Sequence, residues 1–129
     1  MDDRFVEHTC AGSVHDVLAR LLVQLEERGI KVFAVIDHAA AAREAGLALP
    51  DEIVAIFGNP TLGTTFMQYD ARAGIDLPLR ILIWDDDGST KAAYTSPSDI
   101  VERFALDPSH VPVDKLSGLL EDLAVSISR

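Results

Sequence analysis

The segment Gly58-Asn59-Pro60-Thr61-Leu62-Gly63-Thr64-Thr65 has the spacing of a phosphate-cradling loop, G-x-x-x-x-G-K-[ST], except that Thr64 stands at the lysine position. Such a loop aims a run of backbone N–H groups and one ammonium at the terminal phosphates. Here Pro60 removes a donor and Thr64 supplies no charge, so nucleotide hydrolysis is not expected. Ile81-Leu82-Ile83-Trp84-Asp85 resembles the apolar strand that ends in a magnesium-binding Asp, but Asp85 reads as part of a hairpin turn. A weaker function survives. Asn59 can cap a helix with Pro60 at its first position, which leaves free amides at a helix start for a small anion. The candidate ligand-binding residues of this turn are Asn59, Thr61, Gly63 and Thr64.

Asp37-His38 ends one apolar run as Gly58-Asn59 ends the next. If those two strands are neighbours running the same way, His38 and Asn59 share one rim of a sheet, where ligands bind in α/β folds. His38 then serves as anion partner, or as general acid/base with Asp37 orienting it, while Asn59 and the amides of Thr61 and Leu62 stabilise developing negative charge. A separation above about 10 Å excludes that shared role, given the contact distances catalysis demands. The plainer reading makes Asp37 a helix cap and His38 a first-turn residue.

His8 and Cys10 point to one face of a strand, but two ligands without a third make a poor metal site, and a lone Cys is more often buried and inert. Asp85-Asp86-Asp87-Gly88 lacks the calcium-loop spacing, since Gly88 falls too early and Ser96 stands where the bidentate Glu belongs. Neither a metal nor a cofactor is expected.

These candidates lie in a chain of 129 residues with 11 Lys+Arg against 21 Asp+Glu, a formal charge of −10 and a pI of about 4.6. That length makes one domain, and 48% hydrophobic residues supply its core. So acidic a chain has no basic footprint for nucleic acid or an anionic membrane. Cys10 is the only cysteine, and the start Met1-Asp2-Asp3-Arg4 is acidic where a signal peptide is basic, so a cytoplasmic home is expected. The purest apolar stretches, Val32 to Ile36 and Ile53 to Phe57, fall far short of the roughly 18 residues a membrane span needs.

The elements that position the candidates follow from hydrophobic spacing. Arg4 to Cys10 reads as a weak first strand. Val14, Val17, Leu18, Leu21, Leu22 and Leu25 form one helical face, with Ser13 as cap, Asp16 in the first turn and Gly29 at the exit. Ile30 to Ile36 is β-branched and nearly continuous, which predicts a strand covered on both faces or central in its sheet. A short Ala-rich helix, His38 to Ala45, leads to a strand over Glu52 to Phe57, paired either parallel or antiparallel with the last. The turn at Gly58 opens a helix running to about Tyr69. Leu79 to Trp84 and Thr90 to Thr95 make a hairpin about the acidic turn. Ser96-Pro97 caps a helix with an Asp99–Arg103 pair, and Pro112 opens a last helix with Leu116, Leu119, Leu120, Leu123 and Ile127 on one face. The expected fold class is α+β: a single compact domain with a mixed sheet of about five strands packed against helices.

Glu27-Arg28-Gly29-Ile30-Lys31-Val32-Phe33, Asp37-His38-Ala39-Ala40-Ala41-Ala42, Ala45-Gly46-Leu47-Ala48-Leu49-Pro50, Ile56-Phe57-Gly58-Asn59-Pro60 with Gly63-Thr64, Met67-Gln68, and Ile75-Asp76-Leu77-Pro78-Leu79-Arg80, continued by Tyr94 and Ser96-Pro97, resemble the domain-of-unknown-function 302 family. F-G-N-P-x-x-G followed by D-L-P-L is specific in order and spacing. Asp51 stands where a second proline is usual, and Ser96 keeps the cap before Pro97. The resemblance implies a compact α+β domain that associates as a homodimer, and it carries no established activity. The expectation is therefore a homodimeric binding or regulatory module for a small anionic ligand, with His38, Asn59, Thr61, Gly63 and Thr64 as its site. The alternatives are a small enzyme using His38 and a purely structural interaction module.

Overall fold

The computed structural model describes residues 5–129; Arg4, proposed as the start of the first strand, lies outside them, as does the acidic start before it. The elements run β1 (Phe5–Cys10), α1 (Val14–Glu27), β2 (Lys31–Asp37), α2 (His38–Glu44), β3 (Glu52–Gly58), α3 (Pro60–Tyr69), a 3-10 turn (Ala71–Ile75), β4 (Leu79–Asp86), β5 (Ser89–Thr95), α4 (Ser98–Arg103) and α5 (Val113–Ile127). One sheet orders its strands β1-β5-β4-β3-β2. The α+β class and the five strands are as expected. The sheet itself is not mixed: all four pairings are antiparallel. Helix α2 explains this for β2 and β3, because seven residues at about 1.5 Å each span roughly half of a seven-residue strand, too little to carry the chain back to a parallel start.

Helix α1 lays Val14, Val17, Leu21 and Leu25 on the sheet, and α5 adds Leu116, Leu120, Leu123 and Ile127 beside it. They meet Ile53, Ala55, Phe57, Ile81, Ile83, Ala92 and Tyr94, the residues that alternation turns to the same face. Ser13 closes a capping box: its hydroxyl accepts from the Asp16 amide at 3.1 Å, and the Asp16 carboxylate accepts from the Ser13 amide at 3.1 Å. The Ser13 backbone amide, and then the Ser13 side chain, hold the Asp16 carboxyl below its usual range. Ser13→Ala is expected to cost about 1 kcal/mol, read as a lower urea midpoint. The far end of α5 is tied down by Arg20, which donates to the Ile127 carbonyl at 2.8 and 3.0 Å and also to the Ala11 carbonyl. A cation there complements the helix C-terminus.

The hairpin is built on its expected turn. Asp87 and Gly88 both have positive φ, 53° and 91°, the conformation a two-residue hairpin turn requires, and the Asp85 carboxylate accepts from the Gly88 amide at 2.8 Å. The largest departure from expectation is β2. It is an edge strand, not a central one, and Val32, Phe33, Val35 and Ile36 are between 37% and 46% exposed. A β-branched run records a preference for being covered, whereas strand order is decided by tertiary packing, and in this chain the last place in the sheet falls to β2. The second face of the sheet is also apolar along one cross-strand row, where Ile36, Val54, Leu82 and Ala93 stand in register.

Candidate functional site

The β3–α3 turn forms as its residues predict. The Asn59 side-chain oxygen accepts from the Thr61 amide at 2.9 Å, and Pro60 fills the first helical position. The Gly63 amide is bound to the Asn59 carbonyl at 3.0 Å. The anion cradle expected here therefore shrinks: Pro60 has no N–H, the Thr61 and Gly63 amides are taken, and only Leu62 keeps an amide without a partner among the described residues.

A cavity of about 240 Å³ opens beside this turn, walled by Gly58, Asn59, Gly63, Thr64 and Met67 on one side and Leu77, Pro78 and Leu79 on the other, with Phe33 and Leu116 completing it. Its wall is mostly carbon. Gly58 lies buried where β3 meets the Leu77-Pro78 segment, and a Cβ there meets the Pro78 Cβ at 3.4 Å. Gly74 leaves room for the Met67 sulfur, which an added Cβ would meet at 3.2 Å. Two of its wall residues carry polar side-chain groups without a hydrogen-bond partner among the described residues: the Asn59 amide nitrogen, whose oxygen is bound by Thr61, and the Thr64 hydroxyl. Thr61 lines an adjoining shallow depression with Pro60, Thr64, Thr65 and Gln68.

His38 is not part of this site. Asp37 pairs with Ile53 whereas Lys31 pairs with Gly58, so β2 ends where β3 begins and His38 lies at the opposite end of the strands from Asn59. Six residues of β3 separate the two ends, roughly 20 Å at about 3.3 Å per residue. The shared rim required parallel strands, and these are antiparallel. His38 is an exposed first-turn residue behind the Asp37 cap, whose carboxylate accepts from the Ala40 amide at 2.9 Å. The enzyme that paired His38 with the Asn59 turn is thereby excluded.

A second cavity, of about 250 Å³, is lined by Asp76, Arg80, Thr95, Ser96, Asp99 and Arg103, among others. Its charges largely satisfy one another: Arg103 donates to Asp76 at 2.7 and 2.8 Å and to Asp99 at 2.7 Å, the last being the i,i+4 pair expected from the sequence. Elsewhere, the buried Tyr94 hydroxyl donates to Glu121 at 2.5 Å, and His8 Nε2 lies 3.4 Å from the same oxygen without making a hydrogen bond. This cluster braces α5 on β1 and β5, and lines neither cavity. Burial, and then Glu121, raise the Tyr94 hydroxyl well above its usual value. The folded state thus holds a proton that the unfolded chain releases near pH 10, so stability present below pH 10 falls as pH rises further. Urea midpoints between pH 9 and 11 are expected to fall more steeply for the wild type than for Tyr94→Phe. Cys10 is buried with its thiol pushed up by desolvation, as an inert side chain should be, and among the described residues no three His, Cys, Asp or Glu gather to hold a metal.

The residues that sequence reasoning missed as site members are Phe33, Met67, Leu77, Pro78, Leu79 and Leu116. The signal was present in part. The two motifs that carry the family resemblance, Phe57-Gly58-Asn59-Pro60 with Gly63 and Asp76-Leu77-Pro78-Leu79, come together as opposite walls of one cavity. The model of the family described as domain of unknown function DUF302 matches residues 6–123. The chain belongs to the DUF302 family. A solved DUF302 protein from Bacillus stearothermophilus, described as an uncharacterized conserved protein, superposes with a TM-score of 0.87 over 99% of this chain and all of that one. At 17% identity the likeness is one of fold. Two curated relatives named fluoride-specific ion channel FluC 1, from Brucella suis and Brucella abortus, are 42% identical to this DUF302 chain over 96 residues. That stretch is 73% of this chain but only 37% and 35% of theirs, so the chain spans little more than a third of the length of those relatives. No helix among the described residues is long and apolar enough to cross a membrane.

Proposed function

We propose that this DUF302 chain is a homodimeric binding or regulatory module for a small, mostly apolar molecule carrying one polar or anionic group. The observation that carries this reading is the apolar cavity between the two family motifs, whose wall includes the polar residues Asn59 and Thr64. Such a composition, apolar walls with a few placed polar groups, is that of a small-molecule site. The volume of about 240 Å³ exceeds the ~150 Å³ apolar cavity that accepts benzene, so a ring with a short substituent is the right scale. A bare inorganic anion is a poor fit, because the turn offers one unpartnered backbone amide and the chain carries a charge of −10. The Brucella channel proteins support a regulatory setting: among the described residues of this chain no helix is long and apolar enough to cross a membrane, which fits a module appended to a membrane-spanning part.

Thermal unfolding with benzoate, benzyl alcohol, phosphate and fluoride tests the reading. Benzoate or benzyl alcohol at ten times its dissociation constant should stabilise by about 1.4 kcal/mol, raising the midpoint by roughly 3–6 °C, while phosphate and fluoride leave it unmoved. No response to either organic compound at millimolar concentration removes the apolar-ligand reading. A response to phosphate or fluoride alone restores the anion cradle.

A further inference from the structure

We propose that Lys31 selects the ligand of the apolar cavity by pairing with a carboxylate at its rim, which makes that ligand a small aromatic monocarboxylate. The proposal rests on the apolar-cavity reading above and adds to it the ligand's charge and the residue that meets it. β2 and β3 pair regularly except at one place. Val32 pairs with Phe57 and Ala34 with Ile56, so Phe33 is the extra residue of a bulge. Bulges re-aim side chains, and this one gives the cavity an aromatic wall, since Phe33 lines it. Lys31 lies just before the bulge and pairs with Gly58. Directly paired residues point to the same face of a sheet, so the Lys31 side chain leaves β2 on the side to which a Gly58 Cβ would point. That side is the cavity: the added Cβ would meet the Pro78 Cβ at 3.4 Å, and Gly58 and Pro78 both line the space. The Lys31 ammonium comes to lie 5.0 Å from the centre of the Phe33 ring.

The charge around the cavity favours this pairing. No Asp or Glu lines it, although the chain has 21 acids against 11 bases. Lys31 has no carboxylate partner among the described residues, whereas Arg72 and Arg103 are held by Asp70, Asp76 and Asp99. Arg80 and Lys115 adjoin the wall residues Leu79 and Leu116 in sequence, but neither lines the cavity. Alternation along β4 turns Arg80 to the opposite face from Leu79, and Lys115 is exposed on α5. An ammonium on a flexible stem, beside an apolar space free of acids, suits a ligand that lays its ring against Phe33 and directs its carboxylate outward. One ammonium balances a monoanion, whereas a dianion would meet the field of a chain whose charge is −10. Lys31 is exposed, so the pairing is that of a surface ion pair, modest in strength and sensitive to salt.

Calorimetric titration of the full chain with benzoate and benzamide, which share a shape and differ in charge, tests this apart from the cavity itself. Benzoate is expected to bind about threefold to fivefold more tightly than benzamide at low ionic strength, with the preference shrinking as salt rises. Lys31→Gln should erase the preference by weakening benzoate rather than by strengthening benzamide, and Lys31→Arg should keep it. Arg80→Gln and Lys115→Gln remove the same charge outside the cavity and should also keep it. In the wild type, the NMR signals of the Lys31 ε-methylene should shift with benzoate and stay in place with benzamide, a readout that needs no variant. Equal affinity for the two compounds overturns the proposal while the apolar-cavity reading stands. A preference lost as fully in Lys115→Gln as in Lys31→Gln also overturns it, since net charge alone would then be responsible. Binding of neither compound overturns the cavity reading and this proposal with it.

Discussion

Replacing Phe66 by alanine is expected to lower the unfolding free energy by about 3–5 kcal/mol, measured by urea denaturation. Phe66 is fully buried in the main core, and it is the buried residue of α3. That helix begins at the Asn59 cap and carries Gly63, Thr64 and Met67 to the cavity, and Phe66, with the partly buried Leu62, attaches it to the core. Truncation removes the ring's apolar burial and leaves a void that a close-packed interior fills only in part. Against a total stability of about 5–15 kcal/mol this is a large fraction, and the benzoate response should disappear with it. A loss below about 1 kcal/mol would mean that α3 is held by other contacts.

What the sequence disclosed, and what it did not, divides along the range of the interactions. The α1 stripe, the Ser13 cap, the Asn59-Pro60 helix start, the Asp87-Gly88 turn and the α5 stripe each depend on residues within a few positions of one another, and each forms as its chemistry dictates. The order of the strands has no such local record. Val32 to Ile36 reads as covered because its side chains favour burial, but within one chain β2 is the last strand of the sheet. His38 and Asn59 follow two similar strands, and one antiparallel pairing puts them at opposite ends. The cavity was half legible. Asn59, Gly63 and Thr64 were named from the turn, whereas Leu77, Pro78 and Leu79 had no chemical marking of their own until the fold set them opposite. The same fold weakens the anion expectation, because the Asn59 oxygen that caps the helix occupies an amide an anion would have needed.

Gly63→Leu should abolish most ligand binding without weakening the fold, which separates the cavity's volume from the integrity of its wall. Gly63 lies within α3, where glycine costs about 0.5–1 kcal/mol relative to alanine in backbone entropy. An added Cβ there meets nothing nearer than the Met67 Cε at 4.0 Å, an ordinary contact. Gly63→Ala is thus expected to raise stability by about 0.5–1 kcal/mol and to weaken binding only slightly. Leucine keeps the helical gain and extends an apolar branch into the cavity, occupying space a ring requires. Benzoate affinity should fall at least tenfold, about 1.4 kcal/mol, while the urea midpoint stays at or above that of the wild type. Phe66→Ala loses stability and binding together, whereas Gly63→Leu loses binding alone. Wild-type affinity in the leucine variant, with its fold intact, would place the ligand outside this cavity.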